Sequence, residues 1–364
     1  MLRESASGFV AARRTAGRAA TADEDWEAMS QRGWLALQLP EALGGADGGP
    51  NEIMILMEAL GEALTTSPFL STAVIGARAI VRHAAAPRQQ VLLPRLARGD
   101  LRLALAHSVS GEFVRDAPPA ALAVPAGDGF RLSGEKRYVL DGPSAHAFVV
   151  SARLETGAGR ETVLFLVDAD APGIERRDFA RLDGGGACHL RLHGVQVAAQ
   201  DRLGGAAALA DLLDLATVAV CAEAIGVMQA LNDRTLEYLK IRRQFGRRLA
   251  EFQALQHRQV DMLIAAEQAR SIVMAACMAL AEADPAARRL VPTAKVIVGR
   301  AGRSVAQGAV QLHGGIGMTA ELPIGAYFKR MMVIDGVFGT ADQHLRALAR
   351  VSAASPISSE ESVK

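Results

Sequence analysis

Two stretches in the second half of the chain carry residue types suited to an anionic, ring-bearing ligand. In IRRQFGRRLAEFQALQHRQVDM, Arg242, Arg243 and Gln244 precede Phe245-Gly246, and a helix with Gln253 and His257 on one face follows. Arginine pairs bidentately with phosphate oxygens, the Phe245 ring offers a flat surface, and the Gln253 amide pairs with ribose or base edges. In QLHGGIGMTAELP, Gly314-Gly315 follow Gln311, so backbone N–H groups can approach a pyrophosphate with no side chain in the way. Alone, HGGIG signals no more than the end of a helix. Together the two stretches fit a dinucleotide lying across helix ends.

A third stretch, VFGTADQH, places the inert ring of Phe338 directly before Gly339-Thr340, where an acid or base would be expected beside such a site. Other chemistries find little support. His189 and His193 lie four apart on one face of an expected strand, next to Cys188, but no carboxylate partner is evident for a metal. There is no GxSxG and no cysteine near a suitable histidine for nucleophilic catalysis. No Gly-Lys-Ser/Thr follows the glycines, and no GxGxxG opens a strand–helix–strand unit.

Composition narrows the class. With Lys+Arg 40 against Asp+Glu 39, the net charge of +1 gives no footprint for nucleic acid. Three scattered cysteines, Cys188, Cys221 and Cys277, form no CxxC pair and suit a reducing cytoplasm, the expected location. No uninterrupted apolar run is long enough to span a membrane, and no membrane partner is expected. The Arg-, Ala- and Ser-rich start, MLRESASGFVAARRTAGRAA, resembles a transit peptide in composition, but it has no apolar core and Glu4 interrupts it. A first helix is the reading adopted.

These residues need elements to hold them. Residues 1–100 read as a helical domain, with apolar residues at three- and four-residue spacing in Asn51–Leu64 and Pro87–Ala97 and a glycine-rich loop at Leu39–Pro50. Residues 101–205 carry short β-prone runs between turn signals, FRLSGEKRYVL, HAFVVSARL, ETVLFLVDAD and CHLRLHGVQVA, which predicts an antiparallel β domain. Residues 206–354 read as long helices: Ala207–Arg243, then Leu249–Glu282 ending before Asp284-Pro285, then Ala286–His313 stopping at Gly314-Gly315, and two shorter ones. An antiparallel bundle is the economical arrangement. Residues 355–364 form a polar tail.

With these motifs in view, the chain resembles the acyl-CoA dehydrogenases over nearly its whole length, from GWLALQLPEALGG through LLPRLARGDLRLALAHS and SGEKRYVLDG to RRQFGRRLAEFQALQH and QLHGGIGMTAELPIG. The resemblance implies an α+β multidomain fold: an N-terminal helical domain, a central β domain and a C-terminal four-helix bundle, assembled as a tetramer. It implies FAD as cofactor and an acyl-CoA thioester as substrate. A carboxylate removes the α-proton while the β-hydride passes to the flavin, with an electron-transferring flavoprotein as the usual acceptor. It further implies that Arg242, Gln244, Phe245, Gln311, Gly314 and Gly315 touch the FAD bound mainly to a neighbouring subunit, and that Gln253 and Thr340 contact flavin.

The sequence departs from that family where the chemistry happens. The family's base, a glutamate directly before Gly-Thr, corresponds to Phe338, and the alternative position on the first bundle helix corresponds to Ala216. The aromatic-Ile/Leu-Thr stretch matches Tyr138-Val139-Leu140, so Tyr138 can pack on a flavin ring but Leu140 brings no hydroxyl. The Thr-Glu of the preceding segment matches Ser108-Val109, of which only Ser108 keeps a hydroxyl. This pattern resembles the smaller, base-lacking subunits of bacterial heteromeric acyl-CoA dehydrogenases, such as those for pimeloyl-CoA or steroid side chains, whose homologous larger partner supplies the glutamate.

The expectation is therefore a non-base-bearing subunit working with such a partner. A self-sufficient homo-oligomer needs a displaced base: Asp342, which also fits a T-A-D-Q capping box, or Glu223, which sits in an apolar helical run where a structural polar pair across the bundle is the preferred explanation. Asp335 and Asp214 rank lower. A third alternative is a non-catalytic scaffold of the same fold.

Overall fold

A computed structural model describes residues 1–15, 21–107, 118–156, 159–319 and 321–354. Ser108, Val109 and the polar tail from 355 lie outside the described residues.

The N-terminal helices start and stop where local chemistry dictates. α1 (Leu2–Thr15) carries Glu4 in its first turn and Arg13 and Arg14 in its last, opposing the helix dipole at each end. α2 (Ala22–Gln31) begins with a reciprocal capping box between Thr21 and Glu24. α3 (Pro50–Glu62) opens on a proline, whose missing N–H costs nothing in a first turn. A π-helical segment, Leu70–Gly76, leads into α4 (Ala77–His83), and α5 (Ala86–Ala97) closes the domain.

Among the described residues eight strands follow: β1 (Leu103–Ala106), β2 (Leu122–Ala126), β3 (Gly129–Leu140), β4 (Ala147–Thr156), β5 (Gly159–Asp168), β6 (Ile174–Ala180), β7 (Gly186–Ala198) and β8 (Arg202–Gly205). They form one sheet in the order β6-β7-β3-β2-β4-β5-β8, with β1 also on β4. Most pairings are antiparallel, as expected, and two are parallel, so the sheet is mixed. β1 and β2 lie end to end along one edge of β4 and both pair with it in parallel, Leu103 opposite Ala147 and Leu122 opposite Arg153. The chain leaves β2 through the β3 hairpin and so begins β4 in the direction β2 had. Residue alternation marks faces but not strand direction.

The C-terminal region contains α6 (Ala206–Ile241), a short hairpin of β9 (Arg243–Gln244) and β10 (Arg247–Arg248), α7 (Gln253–Ala281), α8 (Ala287–His313), α9 (Ile324–Gly336) and α10 (Ala341–Ala354). α7 starts four residues later than the sequence suggests, because Leu249–Glu251 make a 3-10 turn first. By length and composition α7 is apolar enough to cross a membrane, although it holds no uninterrupted apolar run of that length. It packs instead against α6 and α8, leaving Val260, Leu263, Ile264, Met274 and Met278 exposed.

One apolar core joins the N-terminal helices to the bundle and a second fills the other face of the sheet. α3 and α6 cross closely: a Cβ added at Gly226 would fall 1.9 Å from the Glu58 carbonyl oxygen. Only glycine lets the backbones approach to this distance.

Candidate functional site

The arginine stretch folds as an arm at the end of α6. β9 and β10 pair antiparallel around Phe245-Gly246, whose φ values are 53° and 80°. Two positive φ angles define the turn that matches the twist of a two-residue hairpin, a position that favours Asn or Gly first. Phe245 bears the strain and stands 90% exposed at the tip. Arg242, Gln244 and Gln253 are exposed beside it. Arg247 stacks on Phe252 at 3.9 Å, fixing the base of the arm.

The glycine turn sits at the same end of the bundle. α8 ends at His313, and Gly314 takes φ 65°. Tyr238, near the end of α6, stacks on His313 at 4.4 Å and places its hydroxyl 3.4 Å from the His313 carbonyl, tying the root of the arm to the turn. A Cβ at Gly314 or Gly315 would meet nothing within 4 Å, and Gln311 is exposed one turn earlier. Arm and turn together offer arginine, an aromatic face, amides and open backbone to something outside the chain. These residues fit the nucleotide end of a flavin.

A cavity of about 550 Å³ lies between the sheet and the helices, its walls including Ile75, Leu140, Leu213, Met332, Tyr138 and Phe338. Phe338 and Tyr138 both line it with left-handed backbones, φ 54° and 56°. Such strain in bulky residues persists only where the surroundings impose it. Leu140 lines the cavity and supplies no hydroxyl. No Asp or Glu stands among its described lining residues. Behind the wall, Lys136 is fully buried and donates to Ser151 Oγ at 3.0 Å and to the His107 carbonyl at 3.1 Å. Burial lowers Lys136 to about 7; burial and then the Lys136 charge lower His107 to about 4.

The candidate bases lie elsewhere. Ala216 is buried in α6. Glu223, also buried, accepts from Arg330 Nε at 2.6 Å and Nη2 at 2.5 Å. Arg330 also binds Asp183, which pairs with Arg181 at 3.2 Å. Burial alone would raise the Asp183 carboxyl, but Arg181 and Arg330 outweigh it and hold the group below its ordinary range. Asp141, at the end of β3, accepts from Ser71 Oγ at 2.6 Å, and burial raises its carboxyl. This cluster joins the N-terminal domain, the sheet and the bundle, and neither Glu223 nor Asp183 lines the cavity.

Asp342 lies in the first turn of α10, where Thr340 and Gln343 complete a reciprocal capping box at 2.9 and 3.3 Å. Thr340 and Asp342 line a separate groove of about 320 Å³ with Arg300 and Arg303. Asp335 pairs with Arg303 at 2.8 Å. Asp214 is half-buried in α6 and is not a lining residue of the cavity.

Sequence reasoning missed Ser71, Asp141, Asp183 and Arg330, which come together only through tertiary packing. It also treated His189 and His193 as equivalents. His193 is exposed and faces Glu175 at 3.4 Å, whereas His189 lines the cavity. The cysteines are free and buried, and burial raises each thiol to about 12.

Comparison with known proteins gives two family matches, the acyl-CoA dehydrogenase N-terminal domain over residues 1–100 and the acyl-CoA dehydrogenase C-terminal domain over residues 204–353. Among curated proteins, the chain is 32% identical to acyl-CoA dehydrogenase FadE27 of Mycobacterium tuberculosis, over 92% of this chain and 89% of that one. Among solved structures it is similar to a variant of the Tcur3481-Tcur3483 steroid ACAD, at 34% identity and TM-score 0.85 over 97% of this chain and 96% of that one. It is also similar to the ChsE4-ChsE5 complex from Mycobacterium tuberculosis, at 30% identity and TM-score 0.87 over 98% of each chain.

Proposed function

Because the chain belongs to the acyl-CoA dehydrogenase family, a family of FAD-dependent oxidoreductases, we propose that it is the base-lacking subunit of a heteromeric acyl-CoA dehydrogenase. Its homologous partner contributes the carboxylate and most of the flavin pocket. This chain closes the nucleotide end of that pocket with Arg242, Gln244, Phe245, Gln253, Gln311 and the Gly314-Gly315 turn. A bound flavin would supply the acceptor for the β-hydride of the thioester.

The observation that carries the reading is the division between two ends of one chain. The arm is strained, exposed and rich in groups for a dinucleotide. The cavity, where a thioester would be deprotonated, presents Phe338 and no described carboxylate. A base needs hydrogen-bond reach of the proton it removes. Asp342 sits in another groove, and the Glu223 carboxylate is held by Arg330. Two of the similar structures are two-protein assemblies by their descriptions, and one of these is a steroid dehydrogenase. A bulky thioester of that kind is the proposed substrate, with an electron-transferring flavoprotein as the acceptor.

Co-expression with the partner tests the assignment. One flavin per heterodimer, with thioester desaturation abolished by loss of the partner's glutamate, is the expected result. Two flavins per heterodimer, or turnover by this chain alone that depends on Asp342 or Glu223, would overturn it.

A further inference from the structure

We propose that the loop joining β6 to β7, Arg181 to Gly186, is a flap on the wall of the cavity, latched to the bundle by the ion pair of Asp183 with Arg330. The latch is built so that the flap can lift without stranding a charge. This goes beyond the proposed function, since it needs neither the flavin nor a partner subunit.

The loop is made to move as a unit. It leaves the β6–β7 ladder at the last pair, Ala180 with Gly186, and reads Arg-Leu-Asp-Gly-Gly-Gly. Lid hinges are often small residues, and Gly184 takes φ 84°, an angle that glycine adopts without a steric penalty. Three hydrogen bonds close the loop on itself. The Arg181 N–H donates to the Gly185 carbonyl at 2.8 Å, the Gly184 N–H to the Arg181 carbonyl at 3.1 Å, and the Gly185 N–H to Asp183 Oδ1 at 3.2 Å. The Arg181 side chain folds back over the same loop: a Cβ at Gly185 would fall 1.8 Å from its Nη2. At the tip, Leu182 is 63% exposed and lines the cavity.

The loop reaches the bundle through Asp183, whose side chain is 1% exposed and binds Arg330 of α9. Arg330 in turn holds Glu223 of α6, and Asp183 holds Arg181 at 3.2 Å. The four charges therefore alternate along a chain, Arg181, Asp183, Arg330, Glu223, and the middle link crosses from flap to bundle. Cutting a buried pair is costly when it leaves an ion without a counter-charge. Here a cut at the middle link leaves two neutral pairs, Arg181 with Asp183 on the flap and Arg330 with Glu223 in the bundle. Asp141 stands beside both arginines, but neither it nor its donor Ser71 is on the flap, so that bond is untouched.

Amide hydrogen exchange of the full chain tests the latch, read by mass spectrometry over residues 181–186 and corrected for intrinsic rates. Asp183→Asn keeps the acceptor for Gly185 but loses the charge, and protection of the loop should fall about tenfold. Glu223→Gln should do the reverse and slow the exchange. Lifting the flap would then strand Arg330, and the carboxylate that repels Asp183 across the shared guanidinium is gone. A network that is merely structural predicts the other sign, with either substitution loosening the loop. Exchange across the β4–β5 pair should keep its wild-type rate in both variants, which separates lifting of the flap from global unfolding. Wild-type protection in Asp183→Asn, or exchange in Glu223→Gln that is not slower, would overturn the proposal. Should Asp183→Asn fail to fold, the sign for Glu223→Gln decides alone. Neither result bears on flavin stoichiometry, so the proposed function stands or falls separately.

Discussion

His344 Nε2 donates to the carbonyl oxygen of Phe338 across 2.7 Å, joining the first turns of α10 to the residue that faces the cavity. His344 is 5% exposed and Phe338 has a left-handed backbone, so the bond helps hold a conformation that its own sterics oppose. His344→Ala should lower the unfolding free energy by about 0.5–1.5 kcal/mol, the net worth of one hydrogen bond to a partly buried carbonyl. A urea titration of variant and wild type measures this; an unchanged midpoint would mean that packing alone sets Phe338.

Phe245 makes an opposite prediction for stability and function. Its ring touches little within the chain and its φ of 53° suits glycine better. Phe245→Gly should stabilise the chain by up to about 1 kcal/mol, while the complex retains less flavin through dialysis. Thermal melts and flavin absorbance read the two effects independently.

Arg330 sits between Glu223 and Asp183, and all three are buried or nearly so. Breaking a buried pair by removing one member leaves charge without compensation, at about 3–5 kcal/mol. Arg330→Met should therefore destabilise the chain by that order, seen as an earlier denaturant midpoint. A change under about 1 kcal/mol would mean that water or a proton replaces the guanidinium readily.

Lys136 gives a pH signature. Burial holds it at about 7, whereas the unfolded chain returns it to 10.5. Between those values the unfolded state binds the extra proton, so stability rises with pH across the window, by at most about 1.4 kcal/mol per pH unit. Below about pH 7 both states are protonated and the slope vanishes, with the burial penalty fully present. Lys136→Met should remove this slope, so the stability difference between wild type and variant should move in favour of wild type from pH 7 to 10. Parallel slopes in urea titrations over that range would contradict the assignment.

Much of the helical framework was legible because its punctuation is local. Asp284-Pro285 and Gly314-Gly315 flank α8, and its last residue, His313, is the one that the sequence marks. The start of α7 was not legible, because Leu249–Glu251 satisfy their backbone in a tighter turn and only the arm's packing decides between the two. The parallel pairings of β4 with β1 and β2 were hidden for a different reason: apolar alternation is the same in either direction.

Within the site, contiguity made the difference. Arg242 to Gln253 form one stretch, and their chemistry can be read together. Ser71, Leu213 and Met332 share a cavity although they are far apart in sequence, and no spacing rule connects them. Glu223 looked like a loose acid in an apolar helix because Arg330 is 107 residues away. His189 stands opposite a bulge in β3, whereas His193 stands beside the unpaired Gly194 of its own strand, and spacing in the sequence shows neither.

The uncovered stripe on α7, from Val260 to Met278, has a consequence for supply within the cell. If the proposed partner seats on this stripe, a copy made without it would show apolar surface that chaperones and proteases recognise, and would be cleared or aggregate. Synthesis of the two polypeptides in equal numbers would then set how much of either survives, and excess of one should shorten its own lifetime rather than accumulate.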